Sequence, residues 1–204
     1  MRLAFRSAAA MLVVAALVVP SLSLADEPAQ PSPEQMQKMM EIWKQVSTPG
    51  AEHALLAKMA GEWTTSSKVT MGPGMEPQIS TGSSKAEMAL GNRFLEFEEH
   101  GSMMGSPFEG HGAMGYDNYK KKFWMSWYDD MGTALYTAEG TASADGRMIT
   151  FLGKMDEPTM DVKGKDVKYV VRWVDDSTRV FEIYDEVGTP KEFMPVEITY
   201  TKKK

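Results

Sequence analysis

The stretch KDVKYVVRW, residues 165 to 173, alternates two kinds of side chain. Val167, Tyr169, Val171 and Trp173 point one way; Asp166, Lys168 and Arg172 point the other. A period of two is that of a β-strand with one face on a core and one in water, as in antiparallel sheets. The pattern returns near the end of the chain, where Met194, Val196, Ile198 and Tyr200 oppose Glu197 and Thr199. Upstream the same period, punctuated by Gly- or Asp-containing turns, marks strands over 62–71, 79–90, 93–103, 108–117, 122–129, 134–141 and 148–155. With 165–174, 178–185 and 191–200 the total is ten. Gly72-Pro73-Gly74 separates the first two, Gly105-Ser106-Pro107 is the expected turn centre after the third, and Asp145-Gly146 signals a two-residue hairpin. Ten hairpin-linked strands in an open sheet would leave two unpaired edges, and closure removes both. The expectation is an all-β fold: an up-and-down antiparallel barrel of about ten strands over residues 60–204. A two-sheet sandwich is the alternative.

Before the strands the period is helical. Ser32-Pro33-Glu34-Gln35 offers an N-cap, a proline at the first helical position and a capping-box partner. Met36, Met39, Met40, Trp43 and Val46 then recur on one face, and Thr48-Pro49-Gly50 ends the run. A shorter helical piece carries Leu55, Leu56 and Met59, so residues 34–59 form an N-terminal helical segment. Its methionine stripe reads as adaptable side chains packed on the main domain, since no histidine on that face joins the thioethers as a ligand set. Residues 26–33, with three prolines, read as a linker. Residues 1–25 have the form of a signal peptide: Arg2 and Arg6, an apolar run over 7–19, Pro20, then Ser23-Leu24-Ala25 as a cleavage site. The apolar run is shorter than the roughly 18–20 residues of a span, so no membrane insertion is expected after cleavage. The chain is thus expected to be exported, to the periplasm or beyond.

Without that leader the chain has 20 basic and 28 acidic residues, since Arg2 and Arg6 leave with it, and a net charge of −8. This acidity argues against nucleic acid as a partner. The absence of cysteine excludes disulfides, thiol nucleophiles and Cys-ligated zinc or iron–sulfur sites. There is no Gly-x-Ser-x-Gly elbow, Walker loop or dinucleotide fingerprint, and no catalytic residue is assigned.

Gly61-Glu62-Trp63 follows the segment His53-Ala54-Leu55-Leu56; Phe108-Glu109-Gly110-His111-Gly112 leads into Gly115-Tyr116-Asp117; Trp127 precedes Asp129; Glu139-Gly140 precedes the hairpin; Ile198-Thr199-Tyr200-Thr201-Lys202 comes last. This ordered set resembles the bacterial family catalogued as domain of unknown function 1579, over roughly residues 50 to 204. The resemblance implies a lipocalin-like (calycin) barrel without a settled activity. It also implies that Trp63 packs across the closed end of the barrel beneath a basic side chain near the end of the last strand, for which Lys202 is the candidate.

The main functional signal is aromatic. Residues 122–129, KFWMSWYD, are apolar on both faces. Phe123, Met125 and Trp127 share one side, and Trp124 and Tyr128 the other. A lipocalin-like interior would show such side chains to a small apolar or aromatic ligand, with Trp63, Phe108, Tyr116, Trp124, Trp127 and Tyr128 as candidate walls. Trp124 and Trp127 alternate, so these cannot all face inward. Glu99 shares the face of Leu95, Phe97 and Arg93, which makes Arg93–Glu99 a candidate polar anchor. Gly110 and Gly112 clear one strand face for bending or for the close approach of another group. The rival reading is a structural protein with a filled core that dimerises through an aromatic outer face. His100, Met103 and Met104 form a lesser candidate for copper, and His53, His100 and His111 are the only histidines for a haem; neither is assigned, and no cofactor is expected.

Overall fold

The structure, a computed structural model, describes residues 30–204. The expected signal peptide, 1–25, and the first half of the 26–33 linker lie outside the described residues. Residues Met39–Lys204 form one compact unit, and the described residues through Lys38 belong to another. Helix α1 spans Pro33–Ser47 and helix α2 spans Ala51–Ala57. Ten strands follow: β1 Gly61–Val69, β2 Gln78–Ala89, β3 Phe94–Met103, β4 Ser106–Asp117, β5 Lys122–Asp129, β6 Tyr136–Ala142, β7 Met148–Glu157, β8 Val162–Trp173, β9 Thr178–Asp185 and β10 Phe193–Lys202. Each pairs antiparallel with the next, and β10 pairs with β1, so the sheet is a closed up-and-down barrel without a free edge.

The capping box forms as the sequence predicts. Ser32 N–H donates to Gln35 Oε1 at 2.7 Å and Gln35 N–H donates to Ser32 Oγ at 3.2 Å. Within the Met39–Lys204 unit the packing expected of the stripe does not follow: Met39, Met40 and Trp43 are exposed, the last two at 69% and 68%. The helix therefore rests on its cap and on helix propensity rather than on burial of its apolar stripe. Helix α2 is different. Gly50 N–H donates to His53 Nδ1 at 3.0 Å, and Leu56 and Met59 sit among Leu95, Ile149 and Phe151, wholly buried, as a plug in one barrel end. Asn118, in the β4–β5 turn, donates to the carbonyls of Val46 and Thr48 at 3.1 and 2.7 Å and holds the approach to α2.

Two turns differ from expectation. The β3–β4 turn is centred on Met104 and Gly105, both at positive φ (51° and 81°), and Ser106 and Pro107 already belong to β4. Two successive positive φ values match the right-handed twist of the flanking strands. At Asp145-Gly146 only the glycine has positive φ, and a five-residue connection, 143–147, replaces the two-residue hairpin.

Candidate functional site

Strand register places the interior polar groups. Trp63 on β1 faces Ser84 on β2, and Ser84 in turn faces Glu99 on β3. On the other side of β1, Thr65 faces Tyr200 on β10, and Tyr200 faces Arg179 on β9. Arg179 shares its strand face with Phe181 and Ile183, so alternation drives its guanidinium inside, where it is 5% exposed. Its carbon Cζ lies 3.5 Å from the centroid of the Tyr200 ring and 5.0 Å from that of Trp63. Trp63 is itself anchored by its indole N–H, which donates to Met59 O at 2.9 Å, and Lys202 Nζ stands 5.3 Å from the same ring. The basic group expected over Trp63 is therefore doubled: Lys202 is there, and Arg179 joins it from the strand before the last.

Glu99, Arg179 and Tyr200 form the floor of a cavity of about 290 Å³. Its walls are mainly apolar, with Leu95, Phe97, Met114, Met125, Phe181 and Ile198 among them. On the β1–β3 side small residues (Thr65, Ser67, Ser80, Gly82, Gly101) keep the volume open. The aromatic wall is a stack. Phe97 and Phe108 lie against the two-ring system of Trp127 at centroid distances of 5.9 and 6.3 Å, nearly parallel. Trp127 N–H donates to Asp129 Oδ2 at 2.8 Å. The glycines of β4 make this stack possible. A Cβ on Gly110 would lie 2.2 Å from the Trp127 ring, and one on Gly112 would lie 2.3 Å from the Phe97 ring.

The eight candidate side chains are therefore divided. Phe108, Trp127 and Glu99 line the cavity. Trp63 is beneath the floor, wholly buried, and supports Arg179 instead of touching the space above. Tyr116 packs at the plugged end against His53 and Phe123, at centroid distances of 5.9 and 4.8 Å. Trp124 and Tyr128 are on the outer surface, because β5 alternates. Trp124 covers Gly115, where a Cβ would come within 2.5 Å of its ring, and neighbours Phe94; Tyr128 stacks on His111. The apolar outer face of β5 thus has an account within the chain itself. Arg93 does not reach Glu99. It precedes the first residue of β3 and donates to Leu90 O at 2.9 Å.

The charged group that acts on Glu99 is Arg179, without an ion pair between them. Burial pushes the Glu99 carboxyl up to about 7, against the pull of Arg179 and, more weakly, of the Ser84 and Tyr200 hydroxyls. Ser84 lies near enough to bias that titration, but its Oγ completes no hydrogen bond of good geometry, and neither does Arg179 Nε. Burial lowers the Arg179 guanidinium and raises the Tyr200 phenol, which stays neutral. A charged residue at an inward position of β9, beside Phe181 and Ile183, was the signal for this group. The metal and haem candidates are divided. His53 caps α2, His111 contacts Glu109 on the outer surface at 3.1 Å, and Met104 is 61% exposed in a turn, while His100 and Met103 border the cavity. Among the described residues no three His, Cys, Asp or Glu side chains cluster as metal ligands.

A closed ten-stranded up-and-down barrel with a plugged end and an interior cavity is a lipocalin-like fold. The chain belongs to the family described as "Protein of unknown function (DUF1579)", which matches residues 48–202. Two solved structures share the fold. Rv2717c from M. tuberculosis is 14% identical, with a TM-score of 0.55, over 77% of this chain and 100% of that one. The S-type phycobiliprotein lyase CPES from Guillardia theta is 10% identical, with a TM-score of 0.51, over 76% of this chain and 99% of that one. No curated protein matches the chain.

Proposed function

We propose that this is an exported binding protein that holds a small apolar or aromatic ligand inside its barrel. The observation that carries the reading is the cavity of about 290 Å³ between the Arg179 floor and the open end, walled mainly by apolar and aromatic side chains. That is near the lower end of the range for small-molecule pockets, and roughly twice an engineered apolar cavity that takes up benzene. Export rests on the form of residues 1–25. A lipocalin-like barrel suits the task because its sheet has no free edge and its inner face can be shaped without disturbing the outer one.

One measurement addresses both parts: native mass spectrometry of the protein purified from the exported fraction of its own host. The expected polypeptide mass begins at Asp26, with an additional discrete organic mass retained in gentle conditions. Ser67→Leu, which places a larger side chain in the small-residue wall, is expected to abolish that additional mass while the fold is retained. Retention of the mass by this variant would place the ligand elsewhere, and a bare wild-type chain alongside a ligand-retaining control lipocalin would sink the reading.

A further inference from the structure

We propose that the ligand carries a carboxylate or a similar planar anion, and that this head sits on the Arg179 guanidinium at the floor of the cavity with the apolar remainder directed to the open end. The assignment rests on the ligand-cavity reading and adds the chemistry of the head group.

Arg179 is buried and borders the cavity, and its Nε has no hydrogen-bond acceptor. Leaving such a donor dry is costly, so buried polar groups are almost always paired. Its two close neighbours are Tyr200, which offers a ring face and a hydroxyl, and Trp63, which offers a ring face. These attract the positive charge and hold the side chain in place, but accept few of the guanidinium's five N–H groups. A carboxylate matches the remaining donors in a two-point geometry that an alcohol or an amide cannot reproduce.

Glu99 does not already serve as that carboxylate. Among the described residues no ion pair joins Glu99 to Arg179, and burial outweighs the pull of Arg179, which pushes the Glu99 carboxyl up to about 7. The other groups facing Glu99 do not supply the charge either. β2 brings the Ser84 hydroxyl and β4 brings Gly110, without a side chain. β10 brings Tyr200, which stays neutral. Farther around the wall, Tyr169 on β8 is raised by burial to about 12, and Asp129 on β5 is engaged by the Trp127 indole. His100 and Tyr136 also border the cavity. Near neutral pH the floor thus holds a full positive charge beside an acid that is only partly ionised. Above it the space is apolar, which fits an amphiphile bound head first.

The test uses two probes that differ only in the head, naphthalene-2-carboxylate and naphthalene-2-methanol, titrated calorimetrically into the mature chain at pH 6 and pH 8. The carboxylate is ionised at both values. At pH 6 it is expected to bind the wild type about tenfold more tightly than the alcohol, or better. The advantage shrinks at pH 8, where ionised Glu99 competes for Arg179. Glu99→Gln is expected to hold the advantage constant across the two pH values, and Arg179→Met to abolish the advantage of the carboxylate over the alcohol. Equal affinities for the two probes in wild type would overturn the head-group assignment and leave the cavity reading standing. If Arg179→Met does not fold, Glu99→Gln decides: a carboxylate affinity that neither pH nor this substitution alters would overturn the assignment. Binding of neither probe would refute the cavity reading and this assignment with it.

Discussion

At the α2 end of the barrel Leu56, Ile149 and Phe151 are wholly buried, whereas at the opposite end Met104, Met131 and Met160 are 61%, 58% and 68% exposed. Met71, Met75 and Leu135 add to that exposed set from neighbouring turns. Turns at the plugged end also expose Leu90 and Tyr119, so an exposed apolar residue does not by itself distinguish the two ends. What differs is the layer beneath. One end has a close-packed plug of branched and aromatic side chains; the other carries exposed, unbranched thioethers on its turns, which can change rotamer at little cost. Stability is concentrated at the first end and accommodation at the second.

The largest effect should separate the ends outright. Phe151→Ala, in the plug, is expected to cost about 3–5 kcal/mol in denaturant unfolding, and Met131→Ala, at the rim, about 0.5 kcal/mol or less. Comparable losses at both sites would show that the rim is as tightly packed as the plug. A smaller effect is expected midway between them. Gly112→Val sets a Cβ 2.3 Å from the Phe97 ring and 2.8 Å from Ser126 O, so the aromatic stack or the strand must shift. The expected loss is about 1–3 kcal/mol, with weaker ligand retention, and an unchanged midpoint would mean that the stack is mobile.

The smallest effect concerns pH. Glu99 is raised in the folded barrel from an ordinary 4.5 to about 7. Between these values the folded state binds more protons than the unfolded chain, so this group's contribution is fully present below about pH 4.5 and is lost as pH rises through 7. Because Glu99 borders a cavity that water can enter, the change is expected to be only on the order of 1–2 kcal/mol. Comparing wild type with Glu99→Gln at pH 5 and pH 8 isolates it, and parallel pH profiles would remove Glu99 as the cause.

Most strands are legible because the period of two survives wherever one face is wet; residues 178–185 match β9 to the residue, and 122–129, apolar on both faces, match β5 through their bounding turns. The start of β8 is not legible: Val162 pairs with Glu157 beyond a bulge in β7, and Lys163 and Gly164 do not alternate with their neighbours. The inward phase was also hidden. Alternation is symmetric, and nothing local tells Trp124 from Trp127; the choice is made by closure of the whole barrel, which puts one ring on Gly115 and the other over Gly110. Arg93 misled because alternation, carried one residue too far into a turn, placed it beside Glu99. Arg179 is remote in sequence from Glu99, Trp63 and Tyr200, and only strand register brings the four together.

The seam between β1 and β10 has a kinetic consequence. Glu62 and Lys203, whose backbones bond across it at 2.8 Å, are 141 residues apart in the chain. Every other ladder joins strands that are consecutive in sequence. Folding can thus proceed hairpin by hairpin, but the step that removes both edges must close the longest loop in the barrel, which makes it late and slow. Until the final ten residues of the barrel arrive, β1 and β9 remain open to strands of other molecules. The C-terminal strand is therefore the latch of the fold: with it the sheet has no free edge, and without it two edges are left that invite aggregation.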